Sequence, residues 1–239
     1  MSETGHARNV GNFETLISFC TGYGADYNPA NASIDLGALN AKLLAAQGVL
    51  SGVSTAVADQ KIEINNRQEV FEGVRKLVTR VVNSFDAGGA SGKDVDDART
   101  FKRKIDGARA QALEEPAEGE PAEGGGSISV SQQSYVQLVE HFTGLINLLT
   151  KSGSYNPNEV ELKVVQLTTK RDAMADANTA VIDKLTVTSN ARIDRNSELY
   201  DDETGLVDLA MLVKKYVKSV FGADSPEYAQ ISGLRFDRY

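Results

Sequence analysis

Three short motifs occur twice in this chain, in the same order. Tyr27-Asn28-Pro29 returns as Tyr155-Asn156-Pro157, and Ser54-Thr55-Ala56-Val57 as Asn178-Thr179-Ala180-Val181. Leu77-Val78-Thr79-Arg80-Val81-Val82-Asn83-Ser84 returns as Leu212-Val213-Lys214-Lys215-Tyr216-Val217-Lys218-Ser219. Such a repeat constrains a fold more than composition does, because each copy must bury the same kind of face. Each copy of roughly 110 residues is long enough to bury about two thirds of its unfolded surface. Tryptophan is absent and aromatics make up 7% of the 239 residues. The core therefore falls to Leu, Val, Ile and Ala, which suits helix packing.

Residues 112–130 separate the copies. Pro, Gly and Glu dominate, and Glu115-Pro116-Ala117-Glu118-Gly119 is followed by Glu120-Pro121-Ala122-Glu123-Gly124. Like charge and glycine keep such a sequence solvated. The expected organisation is a loose tail over 1–10, a helical repeat over 11–111, a flexible acidic linker over 112–130 and a second repeat over 131–239. The net charge of −8 is uneven. Residues 1–111 carry 13 basic and 13 acidic side chains, residues 112–130 carry 5 acidic and no basic ones, and residues 131–239 carry 12 and 15. An acidic chain without a basic stripe is a poor partner for duplex nucleic acid, whose phosphates need Lys and Arg.

Apolar spacing gives helices throughout. In the second copy Tyr135, Leu138, Val139, Phe142, Leu145, Ile146 and Leu149 step by three and four. Asn156 and Pro157 are expected as the N-cap and first residue of the next helix. That helix carries Val160, Val164, Leu167, Met174, Val181 and Leu185, and Thr186-Val187-Thr188-Ser189-Asn190 is expected to break it. A third holds Leu206, Leu209, Ala210, Val213 and Val217, and a short last one Tyr228, Ile231 and Leu234. The first copy follows with Phe13 to Cys20, a heptad-like seam from Leu36 to Val57, then Val70 to Phe85, and Val95 to Ile105. No segment needs to be a strand. The fold class is all-α: a tandem duplication of an antiparallel, roughly four-helix unit joined by the acidic linker. Two separate bundles and one continuous bundle both fit.

From Asn190-Ala191-Arg192-Ile193 through Tyr216-Val217-Lys218-Ser219-Val220-Phe221-Gly222-Ala223 to Ser225-Pro226-Glu227-Tyr228, the chain resembles a group of duplicated helical bacterial proteins common in Bacteroidetes, with no assigned activity. The resemblance covers the second copy well and the first loosely, where Pro226 has no counterpart in the glycine-rich turn. It implies a helical, duplicated, bacterial protein, and brings no catalytic residues.

Reactive chemistry is sparse. The lone Cys20 sits among Leu16, Ile17 and Phe19 and is expected as a buried thiol. His6 falls in the expected tail and His141 beside the apolar face of its helix, where a surface position is expected. A bundle di-metal site needs Glu-x-x-His from each of two helices, whereas residues 138–141 read Leu-Val-Glu-His. Asp194 to Glu198 and Asp201-Asp202-Glu203 lack the glycine of a calcium loop and read as a solvated helix start. Gly22-Tyr23-Gly24-Ala25-Asp26-Tyr27 lacks the strand and Gly-Lys-Ser/Thr of a phosphate loop and reads as a turn. No catalytic residue, metal ligand or cofactor is expected, and the chain is read as no enzyme.

Two clusters remain as partner-binding candidates: Arg99, Phe101, Lys102, Arg103 and Lys104, and Arg235, Phe236 and Arg238 beside Tyr239. The first functional expectation is a structural scaffold that self-associates through helix faces into a ring or filament. The partner is then a second copy or another protein. The alternative is a module in which those clusters bind an acidic protein or single-stranded nucleic acid. With no signal peptide and no run of 18 apolar residues, the expected location is the cytoplasm without membrane insertion, signal-independent export remaining open.

Overall fold

The computed structural model describes residues 4–108 and 134–239. The expected linker and residues 1–3 lie outside them. Eight α-helices carry the described chain: α1 (Thr4–Gly22), α2 (Leu36–Phe71), α3 (Val74–Ala87), α4 (Gly92–Asp106), α5 (Tyr135–Ser152), α6 (Val164–Tyr200), α7 (Leu206–Phe221) and α8 (Pro226–Ser232). Short 3₁₀ turns occupy Gly24–Asp26, Ala32–Ile34 and Val160–Leu162. The fold is all-α with two helix-dense halves, and no strand occurs among the described residues.

The helix ends have local causes. Ser134 accepts from the Gln137 backbone N–H and the Gln137 side chain reaches back, a capping box that starts α5. Ser91 and Ser225 cap α4 and α8 by accepting from the backbone N–H groups of Asp94 and Tyr228, with Pro226 in the first turn of α8. Gly73, at φ +76°, separates α2 from α3, a backbone region that side chains avoid.

Three expectations are corrected. Residues 4–10 form the first turns of α1 rather than a loose tail, because His6, Asn9 and Val10 are buried. Helix α6 runs unbroken through Thr186–Asn190. There the buried Thr188 hydroxyl lies 2.9 Å from the Lys184 carbonyl and 3.1 Å from the Ala56 carbonyl, so it is satisfied without ending the helix. Asn156 and Pro157 precede the 3₁₀ turn, and α6 begins only at Val164. The Tyr155 hydroxyl explains the detour, since it donates to the Leu162 carbonyl at 2.8 Å. Tyr27 makes the same loop closure on Ile34 at 2.6 Å.

Two compact units result, and neither follows the sequence division at 112–130. The first joins residues 1–61 to 183–239, and the second is 62–182. Helices α2 and α6 each contribute to both. In the first unit α1 packs on α7 and α8. Its core includes Phe13, Leu16, Leu39, Leu199, Leu206, Val213 and Ile231. In the second, α4 packs on α3 and α5 around Val78, Phe85, Ile105, Phe142, Leu145, Leu167 and Met174. Each unit thus draws helices from both halves of the sequence.

The continuous stretch Leu36–Ala87 contains an 18-residue window of mean hydropathy 1.2, of which 22% is buried. By length and composition alone it is marginal for a membrane span.

Candidate functional site

After α8 the chain does not stop at the bundle end. Residues 234–239 continue in extended form along α1, antiparallel to it. Asn12 donates to the Arg235 carbonyl at 2.7 Å. Asn9 grips Asp237 twice, donating to its carbonyl at 2.6 Å and accepting from its N–H at 3.1 Å. The Lys214 ammonium, from α7, donates to the Ser232 carbonyl at 3.1 Å and to the Leu234 carbonyl. Asn9 is 0% exposed and Lys214 9%, so both are polar groups committed to this segment's main chain. Burial holds the Lys214 amine below its ordinary value.

The end of the segment is held by side chains. The Tyr239 ring stands 5.3 Å from that of His6 and 6.4 Å from that of Tyr200. His6, 1% exposed, places Nδ1 2.6 Å from the Tyr200 hydroxyl. A Cβ on Gly5 would overlap the Tyr239 ring, so glycine lets the ring lie this close to α1. Arg238 bonds Asp208 at 2.7 Å, Asp202 at 3.2 Å and the Tyr200 carbonyl at 2.7 Å. Its guanidinium holds the Asp208 carboxyl below the usual range. Arg8 pairs with Asp237 and donates to the Tyr239 hydroxyl at 2.5 Å.

Of the residues singled out in the sequence, Arg235, Phe236 and Arg238 therefore lie on this strap. Phe236 is half-buried, with the Lys214 ammonium 5.5 Å from its ring centroid. Arg99, Phe101, Lys102, Arg103 and Lys104 lie on α4 in the second unit. Arg99 pairs with Asp86 and Asp96, and Lys102 with Asp106. Phe101 leans on α5 at Gly144, where a Cβ would overlap its ring, and Lys104 stands 6.0 Å over the same ring. Asn9, Asn12 and Lys214 were not legible as functional.

Other features are quieter. Cys20 is fully buried, and burial pushes its thiol up to about 12, so it stays protonated at neutral pH. His141 is half-buried rather than on the surface. Its Nε2 is shut off from solvent without a hydrogen bond, and burial with nearby Lys104 holds it below its ordinary value. No group of three or more His, Cys, Asp or Glu converges as a metal site among the described residues. The second unit has a groove of about 1010 Å³ bordered by Phe71, Arg75, Ile105, Tyr135 and Leu138.

Fold and site together define an all-α protein of packed helices in which side chains of α1 and α7 hold the main chain of residues 232–237. No protein-family model, curated protein or solved structure matches the chain.

Proposed function

We propose that this chain is a duplicated, non-enzymatic scaffold that self-associates through an exposed helix face. One observation carries the reading. Residues 43–58 of α2 contain no charged side chain. Leu43, Ala46, Val53 and Ala56 face the core, while Leu44, Gly48, Ser51 and Thr55 form an outward stripe one helical turn apart. Leu44 is 72% exposed. A helix that faces water for four turns normally carries charge on that side. An uncharged one with Gly48 and Ser51 at its centre suits close approach by another helix. Leu185, Val187 and Ile193 of α6 add exposed apolar surface in the same unit.

Duplication supports the reading, since paired bundles offer two faces to neighbours and a heterologous contact propagates. The matching Tyr27 and Tyr155 loop closures fit descent from one repeated unit. The rival reading, in which basic clusters bind an acidic partner, is weakened because Arg99 and Arg238 already meet carboxylates of this chain.

Light scattering across a concentration series tests the proposal. Growing mass for the unmodified protein and a monomer for Leu44→Glu is the expected result. A monomer at every concentration for the unmodified chain overturns it.

A further inference from the structure

The strap along α1 is bound as a foreign peptide would be. From Ser232 to Asp237 the bonds made by Asn9, Asn12 and Lys214 go to main-chain atoms. Selectivity comes from Phe236 beside Lys214, from Arg238 between two carboxylates, and from the Tyr239 ring beside His6 and Tyr200. Main-chain bonds giving affinity and side-chain seats giving specificity are the marks of extended-peptide recognition. The hold on the strap is light at its edge. Arg8, Asp237 and Arg238 are about half exposed, and such ion pairs contribute little.

We propose that the cleft formed by α1, α7 and the end of α6 is a peptide-recognition site, occupied in cis by its own residues 233–239 and in trans by those residues of a second copy. The occupant is named by what already sits there: Leu234, Phe236, Arg238 and Tyr239 in extended form. The crossing piece is α8 with the strap, joined to α7 at Gly222, whose φ of +97° marks the turn. The choice of a second copy rests on the self-association reading. The cleft itself does not.

The test uses the full chain and a labelled synthetic peptide of Gly233–Tyr239, followed by fluorescence anisotropy. Cis occupancy lowers apparent affinity by the fraction of open cleft. The full chain carrying Arg238→Ala and Tyr239→Ala is therefore expected to bind the peptide about tenfold more tightly than the unmodified chain. Adding Asn9→Leu is expected to abolish that binding. Failure to bind with helicity intact, or binding indifferent to Asn9→Leu, overturns the cleft. Should the doubly substituted chain lose its helicity, hydrogen exchange on the unmodified protein decides. The Asp237 amide exchanging well before those of α1 supports a detachable strap, and exchange at the rate of α1 overturns it. Mixing the Asn9→Leu chain with the Arg238→Ala, Tyr239→Ala chain tests the partner. A one-to-one complex that neither forms alone is expected, and its absence overturns strap exchange. Peptide binding that survives Leu44→Glu separates the cleft from the α2 face.

Discussion

In the second unit α4 runs for 15 residues and lays Phe101 over Gly144 of α5, while in the first α8 stops after 7 and the chain goes on extended along α1. Both arrangements cover the flank of a helix, and they differ in where their backbone polar groups go. A helix satisfies its own N–H and C=O groups internally, so α5 needs only a hollow for a ring. An extended segment has no internal bonds, and the buried groups along it need partners from outside. Asn9, Asn12 and Lys214 are those partners. Polar side chains thus appear inside one unit and not at the matching flank of the other because of the backbone form lying against them.

This contrast can be broken, starting with the largest effect. Phe85→Ala removes a fully buried ring from the second unit and is expected to cost about 3–5 kcal/mol in urea unfolding. Exchange should rise in α3, α4 and α5 while Cys20, a thiol of the first unit, stays unreactive toward an aromatic disulfide. Early labelling of Cys20 would show that the units do not open separately. Gly144→Leu drives a side chain into Phe101 and is expected to cost about 1–3 kcal/mol, since a helix on a helix cannot step aside. Gly5→Leu meets the far end of the Tyr239 side chain instead, on a segment held by no helix of its own, and should cost about 1 kcal/mol or less by the same denaturation. Equal costs would mean that the strap is as rigid as α4.

Asn9→Ala removes both bonds to Asp237 and is expected to cost about 1 kcal/mol, with faster exchange confined to residues 234–239. The smallest effect is acid dependence. The Asp208 carboxyl is held low by Arg238, and Glu161 by Arg80 in the second unit. Each contributes stability that is present above the unfolded carboxylate value of about 4 and is lost as pH falls through the lower folded value. A shallow fall in melting temperature below about pH 4, flattened by salt, is expected for both units alike.

Helix identity was readable because α3, α4, α5 and α7 carry unbroken three-four apolar spacing. The break expected at Thr186–Asn190 was misread from local preference, which the Thr188 bond to the Ala56 carbonyl overrides across 132 residues. The loose tail was misread for the same reason, since burial of His6 and Asn9 depends on Tyr200 and Asp237. A repeat states which segments fold alike. It does not state which segments touch, and here α1, from the first copy, packs on α7 and α8 from the second. Of the strap site, the ligand half (Arg235, Phe236, Arg238) drew notice as charge beside aromatic rings. The receiving half, on Asn9, Asn12 and Lys214, left no local pattern because its partners lie far along the chain.

The division of the first unit into residues 1–61 and 183–239 has a consequence during synthesis. Residues 62–182 leave the ribosome before the partners of α1 exist, and domains tend to fold as they emerge. The second unit can close early on contacts of modest sequence separation. Helix α1 must wait through more than half the chain for α7, α8 and the strap. Its apolar face stays bare meanwhile, and closing so long a loop is a slow step. The newborn chain is therefore most exposed to the wrong neighbour through its first helix, and a chaperone that shields Phe13, Leu16 and Ile17 would act at that point.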